Sequence, residues 1–177
     1  APPTAQRIGT ATGELVALAA WQSTHVAVAV RSGKQSLLLV LGPNDSSRRI
    51  DVPHPLAALS FGADGTLWCL HENGWLGTVS LGEQPRPYAV VKNTSTSGDC
   101  LVMTSTGQAV IAEIGKTKLH LVDCHSNGAT VEVEYKQPIT ALVGAPDGGY
   151  ILIGCKDGSV FIKGTPGNSK PVESRAV

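Results

Sequence analysis

Short apolar runs broken by turn-forming residues dominate the chain. His25-Val26-Ala27-Val28-Ala29-Val30, Ser36-Leu37-Leu38-Leu39-Val40-Leu41 and Tyr150-Ile151-Leu152-Ile153 are β-branched or leucine-rich and bounded by Gly, Asp, Asn or Ser. Strands covered on both faces read this way. No window carries apolar residues at i, i+3, i+4, i+7 between helix caps, so an all-β fold with almost no helix is expected.

The turns set a period. Gly33, Gly74, Gly115 and Gly158 lie between apolar runs, 41, 41 and 43 residues apart, while Ser23, Gly65, Gly107 and Gly148 recur at 42, 42 and 41. Runs starting at Leu15, Leu56, Leu101 and Ile139 open each unit, and shorter, more polar runs near Arg49, Pro87, Thr130 and Lys170 close it. Four copies of a four-stranded unit of about 40–45 residues are the mark of β-propeller blades. Asn73-Gly74, Ser32-Gly33, Asp157-Gly158 and Asp64-Gly65 suit tight hairpins that need positive φ. The expected organisation is a single β-propeller segment over 1–177, with repeats at approximately 11–52, 53–94, 95–136 and 137–177. Arg7-Ile8 precedes Arg49-Ile50 by 42 residues, which predicts an extra outer strand over 5–10.

The second unit reads Leu-Ala-Ala-Leu-Ser-Phe, Ala-Asp-Gly-Thr, Leu-Trp-Cys-Leu and Trp-Leu-Gly-Thr-Val-Ser-Leu from Leu56 to Leu81; the fourth has Ile-Thr-Ala-Leu, Pro-Asp-Gly-Gly, Tyr-Ile-Leu-Ile-Gly and Lys-Asp-Gly-Ser-Val-Phe-Ile. In these motifs the chain resembles the WD-repeat family over nearly its whole length. Its units lack the family's Gly-His opening, and the Trp-Asp ending survives only as Leu121-Val122-Asp123, so the internal His–Asp network of the family is not carried over. Propellers of that kind usually close with about seven blades, roughly 290 residues at this period. Four blades therefore imply a half or incomplete propeller, or a small four-bladed ring. An open arc would expose two apolar blade faces, so a homodimer or burial by a protein partner is expected in preference to a self-closed ring.

Composition narrows the partners. Fourteen basic residues balance fourteen acidic ones, and only 16% of residues are charged, which disfavours nucleic acid and anionic lipid as principal partners. The longest apolar run, Leu37 to Leu41, is far short of a membrane-spanning helix. Cys69, Cys100, Cys124 and Cys155 show no CxxC spacing and sit in or beside strand-like runs. Buried free thiols in an intracellular, cytoplasmic setting are the expectation. The opening Ala1-Pro2-Pro3-Thr4, without an initiator Met, suggests a segment of a longer chain.

Candidate chemistry is sparse. Gly115-Lys116-Thr117 ends like a phosphate-binding loop, but Val110 stands where the first glycine belongs and both flanks are strands. His120, Cys124 and His125 lack a fourth zinc ligand nearby, and Glu132 and Glu134 share one face of an outer strand. No Gly-x-Ser-x-Gly elbow occurs. Cofactors and metals are not called for. The loops joining fourth to first strands and second to third strands of a propeller share one face, and here that face would carry Arg31, Lys34, His54, His71, Trp75, Lys116, Gln137 and Lys156. Trp75 and Trp21 stand out as candidate interface aromatics. The favoured reading is a non-catalytic protein–protein interaction scaffold; the alternative is a propeller-type enzyme or ligand-binding domain with a central-channel site.

Overall fold

The computed structural model describes residues 13–22, 24–43, 46–81, 88–126 and 130–164. Their fifteen strands form four antiparallel sheets and no helix, so no helix is long and apolar enough to cross a membrane. Blade 1 is β1 (Glu14–Trp21), β2 (His25–Ser32), β3 (Gln35–Leu41) and β4 (Ser47–Val52). Blade 2 is β5 (Leu56–Phe61), β6 (Leu67–His71), β7 (Trp75–Val79) and β8 (Ala89–Asn93). Blade 3 is β9 (Cys100–Met103), β10 (Gln108–Ala112), β11 (Lys118–Asp123) and β12 (Val131–Glu134). Blade 4 holds β13 (Ile139–Gly144), β14 (Tyr150–Cys155) and β15 (Val160–Gly164). In each sheet the strands pair in chain order. The expected strands over 5–10 and at Lys170 to Ser174 lie outside the described residues.

The turns form where glycine can take positive φ. Gly33, Gly74, Gly115 and Gly158 sit at φ 64, 81, 89 and 85°. In four turns of the two series an Asx side chain caps the amide two residues on: Asp64 Oδ1 accepts from Thr66 N (3.0 Å), Asn73 Oδ1 from Trp75 N (3.2 Å), Asp147 Oδ1 from Gly149 N (2.9 Å) and Asp157 Oδ1 from Ser159 N (3.0 Å). That local bond is why Asn or Asp precedes Gly in these turns.

Alternation along the strands gives each blade two apolar faces, and consecutive blades bury them against one another. Ala27, Ala29, Leu38 and Val40 of blade 1 meet Leu56, Leu59, Leu67 and Cys69 of blade 2. Trp68, Leu70 and Leu76 of blade 2 meet Met103, Ala109, Ile111 and Val122 of blade 3. Val110, Leu119 and Leu121 of blade 3 meet Ile139, Leu142, Ile151 and Ile153 of blade 4. Leu38, Leu56, Leu67, Ile111 and Ile153 are fully enclosed, each contributing about 1.5–3 kcal/mol of burial. Polar staples cross the same joints. Ser36 Oγ accepts from Leu56 N (3.0 Å), Ser60 Oγ from Met103 N (3.1 Å), and Lys92 Nζ donates to the carbonyls of Asp123 (2.5 Å) and Ser126 (2.7 Å).

The first strands pack in succession, β1 on β5, β5 on β9 and β9 on β13, whereas β13 and β1 do not pack in this way. Among the described residues the arrangement is therefore an arc of four blades with an opening between blade 4 and blade 1. All four thiols are free; Cys69, Cys124 and Cys155 are buried as expected, while Cys100, at the start of β9, is only half-buried.

Gly148 shows how tightly blades meet at their turns. Its carbonyl accepts from Ser105 N (3.1 Å), and a Cβ at Gly148 would collide with that same backbone nitrogen. Gly158 has equally positive φ but nothing within 4 Å of such a Cβ. We expect Gly158→Ala to cost about 1–2 kcal/mol for the left-handed backbone alone. Gly148→Ala costs more, because the blade 3–blade 4 joint must open as well; urea unfolding of both variants checks the order.

Candidate functional site

The loops entering each blade and the turns between its second and third strands do share one face. Glu72 N donates to Pro55 O (3.0 Å), Thr94 N to Gly74 O (3.0 Å), Ile139 N to Lys116 O (2.7 Å) and Lys156 N to Pro138 O (2.9 Å). Each bond ties an entry loop to a turn of the same or the preceding blade. The eight residues expected on this face separate into three groups. Lys34, Lys116, Gln137 and Lys156 are exposed around its rim. Arg31, half-buried at the end of β2, is ion-paired with Glu72 across the blade 1–blade 2 joint, and its Nη2 also donates to Leu56 O (3.4 Å). The third group, His54, His71 and Trp75, forms one aromatic cluster.

His71 lies beneath the surface rather than on it, fully enclosed. β6 is buried along its whole length, and the entry loop at His54 and Pro55 closes over its end. Its Nδ1 bonds the His54 carbonyl (3.0 Å) and approaches that of Pro55 (3.3 Å), and Nε2 bonds the Tyr88 hydroxyl. His54 stands edge-on between His71 (5.8 Å) and Trp75 (4.9 Å). Trp75 is accordingly half-buried, with part of the indole at the surface. Burial lowers the His71 pKa below 6.5, against the pull of the two carbonyls, and burial likewise raises that of the Tyr88 phenol.

Nearer the axis the same face is acidic. Glu14, Glu72, Asp99 and Glu113 line a depression of about 470 Å³, and Arg31 is the one cation among its described lining residues. The face therefore carries basic tips outside and carboxylates inside.

The opposite end of the channel holds the feature that sequence reasoning missed. A cleft of about 710 Å³ draws its walls from the ends of the first strands of all four blades, including Trp21, Phe61, Met103, Leu142 and Val143. Trp21, expected as an exposed aromatic, is half-buried: it packs beside Phe61 (6.4 Å between centroids) and over Gly65, where a Cβ would come within 2.8 Å of Cη2. Glycine is required there both for this approach and for its φ of +79°. The small apolar first-strand residues were the only signal of this wall. Among its polar members, Ser60 Oγ is taken by Met103 N (3.1 Å) and Asp147 Oδ1 by Gly149 N (2.9 Å).

The weaker chemical candidates resolve into structural roles. Gly115-Lys116-Thr117 is a hairpin turn between β10 and β11. Cys124 is in the blade 2–blade 3 core, whereas His120 stands 3.9 Å from Glu132. Glu132 also pairs with Lys118 at 2.7 Å, which lowers its own pKa and raises that of the lysine.

Antiparallel blades, four-stranded in blades 1 to 3 and three-stranded among the described residues of blade 4, pack face to face around a channel lined by first strands and define a β-propeller fold of four blades. The chain resembles the WD40 domain of Toxoplasma gondii coronin, with TM-score 0.64 and 16% identity over 96% of this chain and 47% of that one. It also resembles a Lactobacillus plantarum protein solved by the Northeast Structural Genomics Consortium, with TM-score 0.59 and 12% identity over 94% of this chain and 56% of that one. The chain thus spans about half the length of these structures. No family model matches it, and no curated protein does.

The enclosed imidazole gives a pH dependence of stability. The unfolded chain takes up the His71 proton near pH 6.5 and the folded chain only at lower pH. Stability is thus full above pH 6.5 and falls as pH drops through the folded pKa. Urea midpoints at pH 7.5 and 5.5 should show that loss, and His71→Gln should reduce it.

Proposed function

We propose that the chain is a non-catalytic protein–protein interaction scaffold, an arc of WD-like blades whose uncovered apolar surfaces are completed or covered by protein. One observation carries this reading. Leu18 of β1 and Val143 of β13 remain 63% and 56% exposed, although both line the channel cleft and every equivalent interior joint is closed. Apolar surface of that extent, left at both ends of an arc, marks an association site.

The entry-loop face supplies selectivity for a further partner. Its basic rim of Lys34, Lys116 and Lys156 around an acidic centre suits a segment of mixed charge, with the exposed part of Trp75 as an anchor. Such a partner is a protein rather than nucleic acid, since the chain's formal charge is zero. Four free thiols, three of them buried, fit a reducing intracellular compartment. The central-channel alternative gains less support: the cleft's Ser60 and Asp147 side chains are engaged in the fold.

Quantitative capture of proteins from an extract on the immobilised chain tests this reading. Trp75→Ala, and separately Lys34→Glu with Lys156→Glu, should each lower the retained partner at least fivefold while the urea midpoint of the charge variant stays unchanged. Retention no better than on a blank support, or indifferent to both variants, contradicts the scaffold reading. If Trp75→Ala unfolds the chain, the indole belongs to the core and the lysine pair alone reports the face.

A further inference from the structure

The two free faces of the arc are unlike, and each is the counterpart of the other. Every interior joint sets the forward face of one blade on the backward face of the next. Blade 1 has used its forward face on blade 2, which leaves its backward face. Residues directly opposite in an antiparallel register share a face, so the rows Leu18–Val28–Leu39 and Leu15–Val30–Leu37 belong to it, with Val30 itself buried. Blade 4 has used its backward face on blade 3, which leaves its forward face, with the rows Val143–Leu152–Ile162 and Ala141–Gly154–Val160. Leu15, Leu18, Val143 and Val160 are all exposed. Among the described residues β13 and β1 do not pack on each other as the interior first strands do.

We propose that a second copy of this chain closes the arc, blade 4 of each copy packing on blade 1 of the other, to give a two-fold ring of eight blades. This rests on the scaffold reading and names its first partner. Three observations select a second copy. The chain itself carries both halves of the joint, and the joint repeats a contact it already makes three times. The arc overlays on 47% of the coronin WD40-domain chain, so two arcs amount to about one such chain, and their eight blades stay within the four to eight that propellers use. The formal net charge is zero, so two copies approach without mutual repulsion. A head-to-tail joint that closes after two copies makes a ring rather than a fibre.

Light scattering on the purified chain tests the proposal with two variants, Leu18→Arg and Val143→Glu. Both positions are exposed in the single chain, so neither change disturbs an interior joint. The unaltered chain should show twice its 18.3 kDa mass, and each variant alone should fall to the single-chain mass. An equimolar mixture of the two should regain the doubled mass, because one joint is then unaltered and the other sets Arg against Glu. Single-chain mass for the unaltered protein overturns the proposal. So does a doubled mass lost in one variant only, which signifies like faces paired together, or a mixture that fails to reassociate. None of these substitutions touches Lys34, Trp75 or Lys156, so partner capture by that face still reports on the scaffold reading if the second copy is excluded.

Discussion

A propeller blade has two apolar faces and cannot bury either by itself. That constraint governs the whole molecule. Within each blade hydrogen bonds run strand to strand, but enclosure of Leu38, Leu56, Ile111 or Ile153 requires the neighbouring sheet. Stability is then a sum over joints, as in other repeat architectures, and a repeat at either end has one joint too few. The polar staples at Ser36, Ser60 and Lys92 fix the angle between sheets, because each ties a side chain of one blade to backbone of the next.

The same constraint separates the surfaces that function can use. First strands turn apolar residues toward the axis, and the channel mouth formed by their ends is a cleft of mixed polarity anchored by Trp21 over Gly65. Entry loops and turns carry no such duty and hold the charged groups, basic outside and acidic toward the axis. The His54–His71–Trp75 cluster joins the two regimes, since an enclosed imidazole supports the loop on which a half-exposed indole rests.

Blade count and strand order were legible in the sequence because a hairpin that needs positive φ selects glycine at a fixed offset, and four such glycines recur at one period. The shared face of Lys34, Lys116 and Lys156 followed from the equivalence of those turns. Burial on that face did not follow, because His71 is enclosed by the packing of β6 on both sides and by the entry loop at His54, which turn position alone does not place. The Arg31–Glu72 pair joins residues one repeat apart across a joint, and only the packing of blade 1 on blade 2 brings them together. The cleft was least legible: its wall takes a few residues from each of four distant strands, and none of those segments is distinctive alone.

The central claim is that four blades form an open arc rather than a small ring. Pulsed electron spin resonance between labels at equivalent turn positions measures this directly. Ser32, Asn73, Ile114 and Asp157 are exposed and each precedes its turn glycine by one residue. Cysteine placed pairwise at these sites, with Cys100→Ser and an excess of unlabelled chain, gives three separations from Ser32. An open arc predicts that they lengthen in the order Asn73, Ile114, Asp157. A separation from Ser32 to Asp157 as short as that to Asn73 would mean a closed four-bladed ring and would contradict the account.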